Sequence, residues 1–249
     1  MSWSLLLGIA VTAAVVGGVA WLVWWLFFET EGVYLGPRVV VWLYDVYATR
    51  YDNIKQFVAA YEADGLAAPL LERLRGTPRP RILDVATGTA RLQVALHHTP
   101  HFQGSVIGVD ASRRMLGVAR AKLQAAGVSL PALAQNRADA LPFADNQFDA
   151  VTCLEALEFF PDADQAIAEC LRVLKAGGVL FLTNRKGTRL MPGRTRSVAR
   201  MKRRLTDKFG LVDVESAIWQ VDYDQVWGYK PAAANSAARS VSSIGEPPQ

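Results

Sequence analysis

An aspartate closing an apolar run, a glycine shortly after it and a second aspartate about 20 residues further on are the residues best placed to do chemistry in this chain. The segment Ile82-Leu83-Asp84-Val85-Ala86-Thr87-Gly88-Thr89-Ala90-Arg91 reads as a strand that ends in a loop of small residues and passes straight into a helix. That arrangement brings backbone N–H groups and a helix N-terminus against a bound ligand, and Gly88 permits the close approach. Alone, the turn reads equally as plain connection between strand and helix. The segment Val106-Ile107-Gly108-Val109-Asp110-Ala111-Ser112 supplies what it lacks. Asp110, at the end of the next strand, is placed to accept hydrogen bonds from both hydroxyls of a ribose. Its competing role is a helix N-cap, but Ser112 already offers that cap to the helix that follows.

These residues need a sheet to carry them. Short apolar runs at 81–86, 105–110, 148–154 and 179–183 read as strands, and 211–218 with 223–229 as two further strands joined by a short connection. Helical patterns fit 90–98, 112–126, 163–174 and 196–209. The alternation predicts an α/β fold, a mostly parallel sheet with helices on both faces. Ahead of it, a Gly36-Pro37 breaker opens an aromatic, partly helical segment over 39–61, 66–74 reads as another helix, and 75–80 is a linker that no helix can continue through.

The chain has 249 residues, enough for one large domain plus an appendage. Hydrophobic residues make up 51%, and much of that excess lies in one N-terminal segment. From Leu5 to Phe28 there is no charged residue, and a helix of that length crosses a hydrocarbon core of about 30 Å. This predicts a transmembrane anchor over 1–30. A cleaved signal peptide competes, but no Lys or Arg precedes the run, which exceeds the usual 7–15-residue signal core. Trp21, Trp24 and Trp25 gather toward one end, as aromatic rings do at a headgroup boundary. Ala10, Ala14 and Gly18 would let two such helices approach closely. The Lys/Arg bias slightly favours a cytoplasmic C-terminal side.

The remaining divisions are an entry or lid segment at 31–78, a ligand-binding domain at 79–231 and a disordered tail at 232–249, which is too polar and small-residued to bury a core. The net charge is +4. A basic block from Arg185 to Lys208 also contains Lys186, Arg189, Arg194, Arg196, Arg200, Lys202, Arg203 and Arg204, opposed within it only by Asp207. Such a block suits phosphates of lipid or nucleic acid, or simply a solvated helix face. Cys153 and Cys170 lie in apolar stretches without metal-ligand spacing and read as small buried hydrophobes. His97, His98 and His101 are split by Pro100, which argues against a metal site.

The two aspartate segments resemble those of the class I S-adenosylmethionine (SAM)-dependent methyltransferases, with their Rossmann-like sheet, and in particular the branch of ubiquinone and menaquinone biosynthesis. That family's turn reads approximately Asp-x-x-x-Gly-x-Gly, matched here by Asp84, Gly88 and Ala90, with alanine replacing the second glycine. The resemblance continues through Asp139-Ala140-Leu141-Pro142-Phe143, Phe148-Asp149-Ala150-Val151 and Leu171-Arg172-Val173-Leu174-Lys175-Ala176-Gly177-Gly178, in order. Tyr44-Asp45-Val46-Tyr47-Ala48-Thr49-Arg50-Tyr51-Asp52 is similar to the branch's entry helix, Tyr-Asp-x-x-Ala-x-x-Tyr-Asp, which closes over the cofactor.

By position, the resemblance implies that Asp84 helps hold the methionine amino group and that Ala86 and Gly88 line the cofactor with backbone. It places Asp110 on the ribose, Ala111 and Met115 beside the adenine, and Asp139 with Ala140 at its edge. Leu154 and Glu155 would lie beneath the methionine. Tyr44, Tyr47 and Tyr51 share a helix face and form the lid, or an aromatic stripe packed into the core. For a proton acceptor the candidates are Tyr51, Glu155 and Glu158, since the histidine common near Glu158-Phe159 in related enzymes is missing. A nicotinamide dehydrogenase would want G-x-G-x-x-G in the turn, where only Gly88 stands.

The resulting expectation is a single-pass membrane protein with a cytoplasmic domain that methylates a small lipophilic acceptor: a quinone precursor, an isoprenoid or a phospholipid headgroup. Two alternatives are an inactive membrane-tethered SAM-binding scaffold and a nucleic-acid methyltransferase. The latter is disfavoured by the anchor and by Leu154-Glu155-Ala156-Leu157-Glu158, where an Asn/Asp-Pro-Pro-Tyr/Phe segment would be expected.

Overall fold

The computed structural model describes residues 2–232 except His101 and Thr188. The tail expected over 232–249 therefore lies outside the described residues but for Ala232, and so does His101 of the histidine group.

The apolar N-terminus forms α1 (Trp3–Trp24), prolonged by a π-helical turn, Trp25–Glu29. The whole stretch is 27 residues with a mean hydropathy of 2.3 and none of its apolar window buried. It is long and apolar enough to cross a membrane. Gly36, at φ 99°, then turns the chain, and Pro37 opens α2 (Pro37–Tyr47) at a first-turn position where no N–H is needed. The partly helical segment expected over 39–61 is helical in separate pieces. A 3-10 turn at Ala48–Arg50 precedes α3 (Tyr51–Lys55), and Gln56 stops the chain in the left-handed region at φ 51°. The next helix starts earlier than expected: α4 (Ala59–Glu62), a π-helical turn (Ala63–Ala67) and α5 (Ala68–Arg73) run on continuously.

Seven strands form one sheet: β1 (Arg81–Val85), β2 (Ser105–Asp110), β3 (Leu133–Gln135), β4 (Phe148–Cys153), β5 (Leu174–Arg185), β6 (Val212–Ile218) and β7 (Tyr223–Tyr229). Their order is β3-β2-β1-β4-β5-β7-β6, and only β7 runs antiparallel to its neighbours. The mostly parallel sheet is therefore as expected. β3 escapes prediction because three residues are too short to show a period. The fifth strand is longer than its apolar core of 179–183, because backbone pairing with β7 carries it on to Arg185.

The helices on the sheet are α6 (Arg91–His97), α7 (Arg113–Ala125), α8 (Ala163–Val173) and α9 (Val198–Arg203), the last continued by a π-helical turn at Arg204–Lys208. Successive strand residues face opposite sides. Leu83, Val151, Leu180 and Leu182 pack with Ile167, Cys170, Met201 and Leu205 under α8 and α9. Ile82, Ala150, Val179 and Phe181 pack with Leu66, Leu70, Leu92 and Leu96 on the other face, where Phe181 stacks on Trp227. Both cysteines are buried and free, as read from their apolar surroundings.

Candidate functional site

The sheet order reverses between β1 and β4, and a crevice forms at the carboxyl ends of the strands on either side of such a point. A cavity of about 390 Å³ opens there, floored by the loops after β1, β2, β3 and β4 and roofed by α2. Ala86, Gly88, Asp110, Ala111, Ser112, Asp139, Leu154 and Glu155 line the floor. Gly88, at φ 55°, faces open space where a side chain would otherwise project, so a ligand can approach its backbone closely.

Asp110 is fixed by two backbone donors. Its Oδ2 accepts from Gly88 N and its Oδ1 from Ser112 N, both at 2.8 Å. Burial pushes its carboxyl up to about 6, although both N–H bonds oppose the shift. Ser112 caps α7 by accepting from Met115 N at 3.0 Å, so the capping role belongs to Ser112 and leaves Asp110 for a ligand.

Asp84 sits beneath the turn rather than in the main cavity. Thr87 and Thr152 each donate a hydroxyl to it at 2.6 Å. Burial raises its carboxyl, and these hydroxyls offset part of the rise. Asp84 also borders a side chamber of about 40 Å³ shared with Tyr51, Phe57, Arg91 and Glu155. Arg91 is the cation of that chamber. Its Nη2 meets Glu155 Oε1 at 2.9 Å and its Nε meets Glu62 Oε2 at 3.2 Å, while its plane lies over Phe57 and Trp219. Lys55 Nζ reaches Glu155 Oε2 at 3.4 Å. Burial alone would raise the Glu155 carboxyl, but Arg91 and Lys55 outweigh it and hold it below the usual range. The Nη1 group of Arg91 is buried without a hydrogen-bond partner, a costly state for a charged donor.

The roof comes from the entry segment. Tyr44 and Tyr51 line the cavity and touch each other with ring centroids 5.9 Å apart, and Tyr44 also meets Phe159 edge-on. Tyr44 donates to Glu31 Oε2 at 2.8 Å. Burial raises both phenols, Tyr44 well above its ordinary value. The acid after each tyrosine points the other way. Asp45 accepts from Ser112 Oγ at 2.5 Å, and Asp52 accepts from Thr89 Oγ1 at 2.5 Å and Lys122 Nζ at 2.6 Å. The two Tyr-Asp pairs thus fasten the roof to the loop after Asp110 and to the glycine turn.

Several expected residues stand elsewhere. Tyr47 is absent from the cavity wall: three residues after Tyr44 within α2 it points about 60° away from it around the helix axis, and only Tyr44 and Tyr51, seven residues apart, share the inner face. Met115 is fully buried and Ala140 exposed, and neither lines the cavity; Asn136, Arg137 and Ala138 occupy that edge. Asp139 is clamped by Arg137, whose hydrogen bonds pull its carboxyl down. Glu158 is buried outside the wall and accepts the Tyr223 hydroxyl. Ala90 adopts φ 62° and packs on Ala119 and Leu123, so its methyl turns toward α7 rather than toward a cofactor. The basic block is also less free than the sequence implied. Asp164 takes Arg204 and Lys208, Glu158 faces Arg185, and Asp224 takes Lys186.

Sequence reasoning missed Arg91, Lys55 and the docking role of Asp45 and Asp52. The repeat of Tyr-Asp seven residues apart was the available signal for the last two. Arg91 carried none, because its partners Glu62 and Glu155 lie far from it along the chain.

A reversed-order parallel sheet whose carboxyl-edge cavity holds a glycine turn and a buried acid defines a nucleoside-cofactor-binding α/β domain. Residues 83–182 match the family described as "Methyltransferase domain". The demethylmenaquinone methyltransferase of Desulfitobacterium hafniense is 34% identical over 148 residues, 59% of this chain and 58% of that protein. The ubiquinone/menaquinone biosynthesis C-methyltransferase of Shewanella piezotolerans is 40% identical over 113 residues, 45% of each. The chain thus spans about half the length of the curated relatives it matches. Among solved structures, a Methanococcus maripaludis protein assigned as a SAM-dependent methyltransferase superposes with TM-score 0.61 at 18% identity, covering 75% of this chain and 93% of that one. A [4+2]-cyclase gives 0.56 at 21% identity, covering 68% and 80%. Residues 83–182 are thus similar to a methyltransferase domain, on the fold of a solved SAM-dependent methyltransferase, and the group to test against this site is SAM.

The residues present fit that group. Asp110 offers a fixed carboxylate for ribose hydroxyls, Gly88 leaves room for close approach, and the orphaned Arg91 donor matches a carboxylate.

Proposed function

We propose that this protein transfers a methyl group from SAM to a small lipophilic acceptor and is held at a membrane by α1. The observation that carries this reading is that one cavity has two unlike ends. Its glycine-turn end is built from Gly88, Asp110, Ser112 and Asp139, and its α2 end from Pro37, Val40, Val41 and Tyr44, with Arg38 beside them and Phe159 and Phe160 of the connection after β4 closing that end from the floor side. A polar cofactor suits the first and an apolar acceptor the second. The quinone-pathway names of the relatives support an acceptor of quinone-precursor type, with isoprenoids and phospholipid headgroups as the other members of the class.

When bound, SAM supplies a methyl carbon activated by positive sulfur. The chain's residues then have to bind, orient and exclude water. In this reading Asp110 takes the ribose, the Gly88 and Ala86 backbone flanks the cofactor, and Ala111 with Asp139 borders the adenine. Arg91 Nη1 receives the methionine carboxylate in the side chamber, and Glu155 and Asp84 form its acidic wall. Tyr44 and Tyr51 cover the site from above. Glu155 is paired with Arg91 and Lys55, Glu158 is raised by burial but lies outside the cavity wall and already accepts the Tyr223 hydroxyl, and the phenol of Tyr51 is raised by burial. None of these is poised to take a proton near neutral pH. The acceptor that fits such a site is one that brings its own acidity, such as a phenol or an activated ring carbon.

The members of the basic block with no ion pair among the described residues, Arg189, Arg200 and Arg203 among them, are assigned to anionic headgroups. The test is incubation of the full chain with labelled SAM and a membrane lipid extract. Label in a chloroform-soluble product supports the reading. SAM binding without any labelled product favours the alternative of a tethered SAM-binding scaffold, for which the cyclase neighbour is a reminder that this fold hosts other chemistry.

A further inference from the structure

Outside the apolar span Trp3–Glu29, exposed large hydrophobic side chains fall almost wholly on one side of the molecule. On the entry segment Leu35, Trp42 and Val46 project from the start and outer face of α2, with Trp42 56% exposed. Ile54, Val58 and Tyr61 do the same around α3 and α4, Tyr61 at 75%. These elements lie over the carboxyl ends of the strands: α2 roofs the cavity, and Glu62, next to Tyr61, binds Arg91 at the start of α6.

The turn between β6 and β7 is at the same edge, because Tyr223 at the start of β7 pairs with Arg185 at the end of β5. It carries Ile218 and Val221, 87% and 88% exposed. Leu190, in the connection leaving β5, is the last of the set. The one exception among the described residues is Leu130, which precedes β3 at the opposite edge of the sheet. Monomeric soluble domains scatter such residues singly. Here they are gathered around the mouth of the site.

The apolar span emerges at this same edge. Trp25 donates its indole N–H to Leu190 O at 2.9 Å and stacks on Tyr34, whose hydroxyl donates to Pro192 O at 2.7 Å. Arg194 adds bonds to Phe160 O at 2.8 Å and Val33 O at 3.3 Å, tying the juxtamembrane turn to a residue of the cavity wall. Whatever medium surrounds α1 therefore meets the carboxyl edge first. Exposed Arg38, Arg50 and Arg189 stand among the apolar side chains, the pairing that suits a headgroup boundary.

We propose that the carboxyl-edge face is a lipid-contacting surface, seated in the headgroup and upper acyl region of the bilayer that α1 enters, so that the cavity opens to the membrane rather than to bulk water. The proposal rests on reading α1 as an anchor. A lipophilic acceptor would then reach the roof by moving sideways out of the bilayer and would never cross water.

The test uses the full chain in phosphatidylcholine–phosphatidylglycerol vesicles. Cys153 and Cys170 are buried, so single cysteines introduced as Trp42→Cys, Tyr61→Cys, Val221→Cys and, as the control, Leu130→Cys can each carry a fluorophore. Brominated acyl chains are expected to quench the first three labels at least twofold and to leave the label at position 130 unchanged. Protein that stays with the vesicles through an alkaline carbonate wash but shows the same weak quenching at all four positions overturns the lipid-facing surface and leaves the anchor standing. Release by the wash overturns both. Methyl transfer is not part of the readout, so a failure of the enzymatic reading is recognised separately.

Discussion

The floor and the roof of the cavity are held by different physics. The floor is local: Gly88, Asp110 and Ser112 are positioned by the ends of adjacent parallel strands, and each of its buried polar groups has a short, fixed partner. The roof is assembled from afar. Its helix is fastened by Asp45 and Asp52 to side chains 67 and 37 residues away, and by aromatic edges on Phe159. A floor of this kind is rigid and general, and it suits a cofactor shared by many enzymes. A roof of this kind rests on side-chain contacts rather than on the sheet, and under the proposed function it is where an acceptor would be selected.

Arg91 joins the two regions and should give the largest effect. It bridges Glu62 of the entry segment and Glu155 of the floor while almost wholly buried. Removing one member of such a network leaves uncompensated buried charge, at a cost of about 3–5 kcal/mol. Arg91→Gln is expected to lower the thermal midpoint by many degrees, and Arg91→Lys by much less. The lysine variant also separates packing from cofactor binding. If Arg91 receives the methionine carboxylate, the wild type prefers SAM over its decarboxylated analogue by about tenfold, the worth of one charge-assisted bond, and the variant loses that preference in calorimetric titration. An unchanged preference would remove Arg91 from the site.

Asp110 probes the floor alone. Asp110→Asn keeps the shape but would weaken the two hydrogen bonds proposed to the ribose, each worth about 1.5–3 kcal/mol when one partner is charged. SAM affinity should fall at least tenfold, and stability should fall by about 1–3 kcal/mol, because the amide can accept from only one of Gly88 N and Ser112 N and leaves the other donor unpaired. A smaller pH effect follows from the same group. Its folded value of about 6 stands above the ordinary 3.8, so its contribution to stability is fullest below about 4 and is lost as the pH rises through 6. Binding runs in the opposite sense, because the ribose hydroxyls need the carboxylate as acceptor. SAM affinity is expected to rise with pH up to about 6 and then level off, by no more than tenfold per unit, and Asp110→Asn should flatten that slope. A slope that survives the substitution assigns the titration elsewhere.

The same division explains what could be read from the chain. β1, β2 and β4 were legible because they are continuous apolar runs, and Asp110 was legible because strand, turn and helix lengths fix its distance from Gly88. The roof was only half legible. The spacing of Tyr44, Tyr47 and Tyr51 gave a common face, but only the seven-residue pair Tyr44 and Tyr51 reaches the cavity, since Tyr47 sits at the margin of that face. Arg91, Lys55 and Glu62 were invisible because an ion-pair network between distant segments leaves no period or spacing in the sequence. The charge of the block at 185–208 misled for the same reason, since Asp164, Glu158 and Asp224, which pair with four of its members, come from other elements.

Ala90 offers the smallest and sharpest test of whether the floor is as self-contained as this comparison holds. The related motif carries glycine there, and the residue takes φ 62°, a left-handed conformation that costs an alanine about 1–2 kcal/mol. Its methyl is fully buried against Ala119 and Leu123 on the α7 side, which returns about 0.8 kcal/mol. Glycine also loses more chain entropy on folding, by about 0.5–1 kcal/mol. These contributions nearly cancel, so Ala90→Gly is expected to shift stability by less than about 1 kcal/mol in chemical denaturation. Because the methyl points away from the cavity, SAM affinity should change less than twofold. A large gain in affinity would mean that the methyl does press on the cofactor. A large loss of stability would mean that α6 and α7 depend on this one contact more than their packing implies.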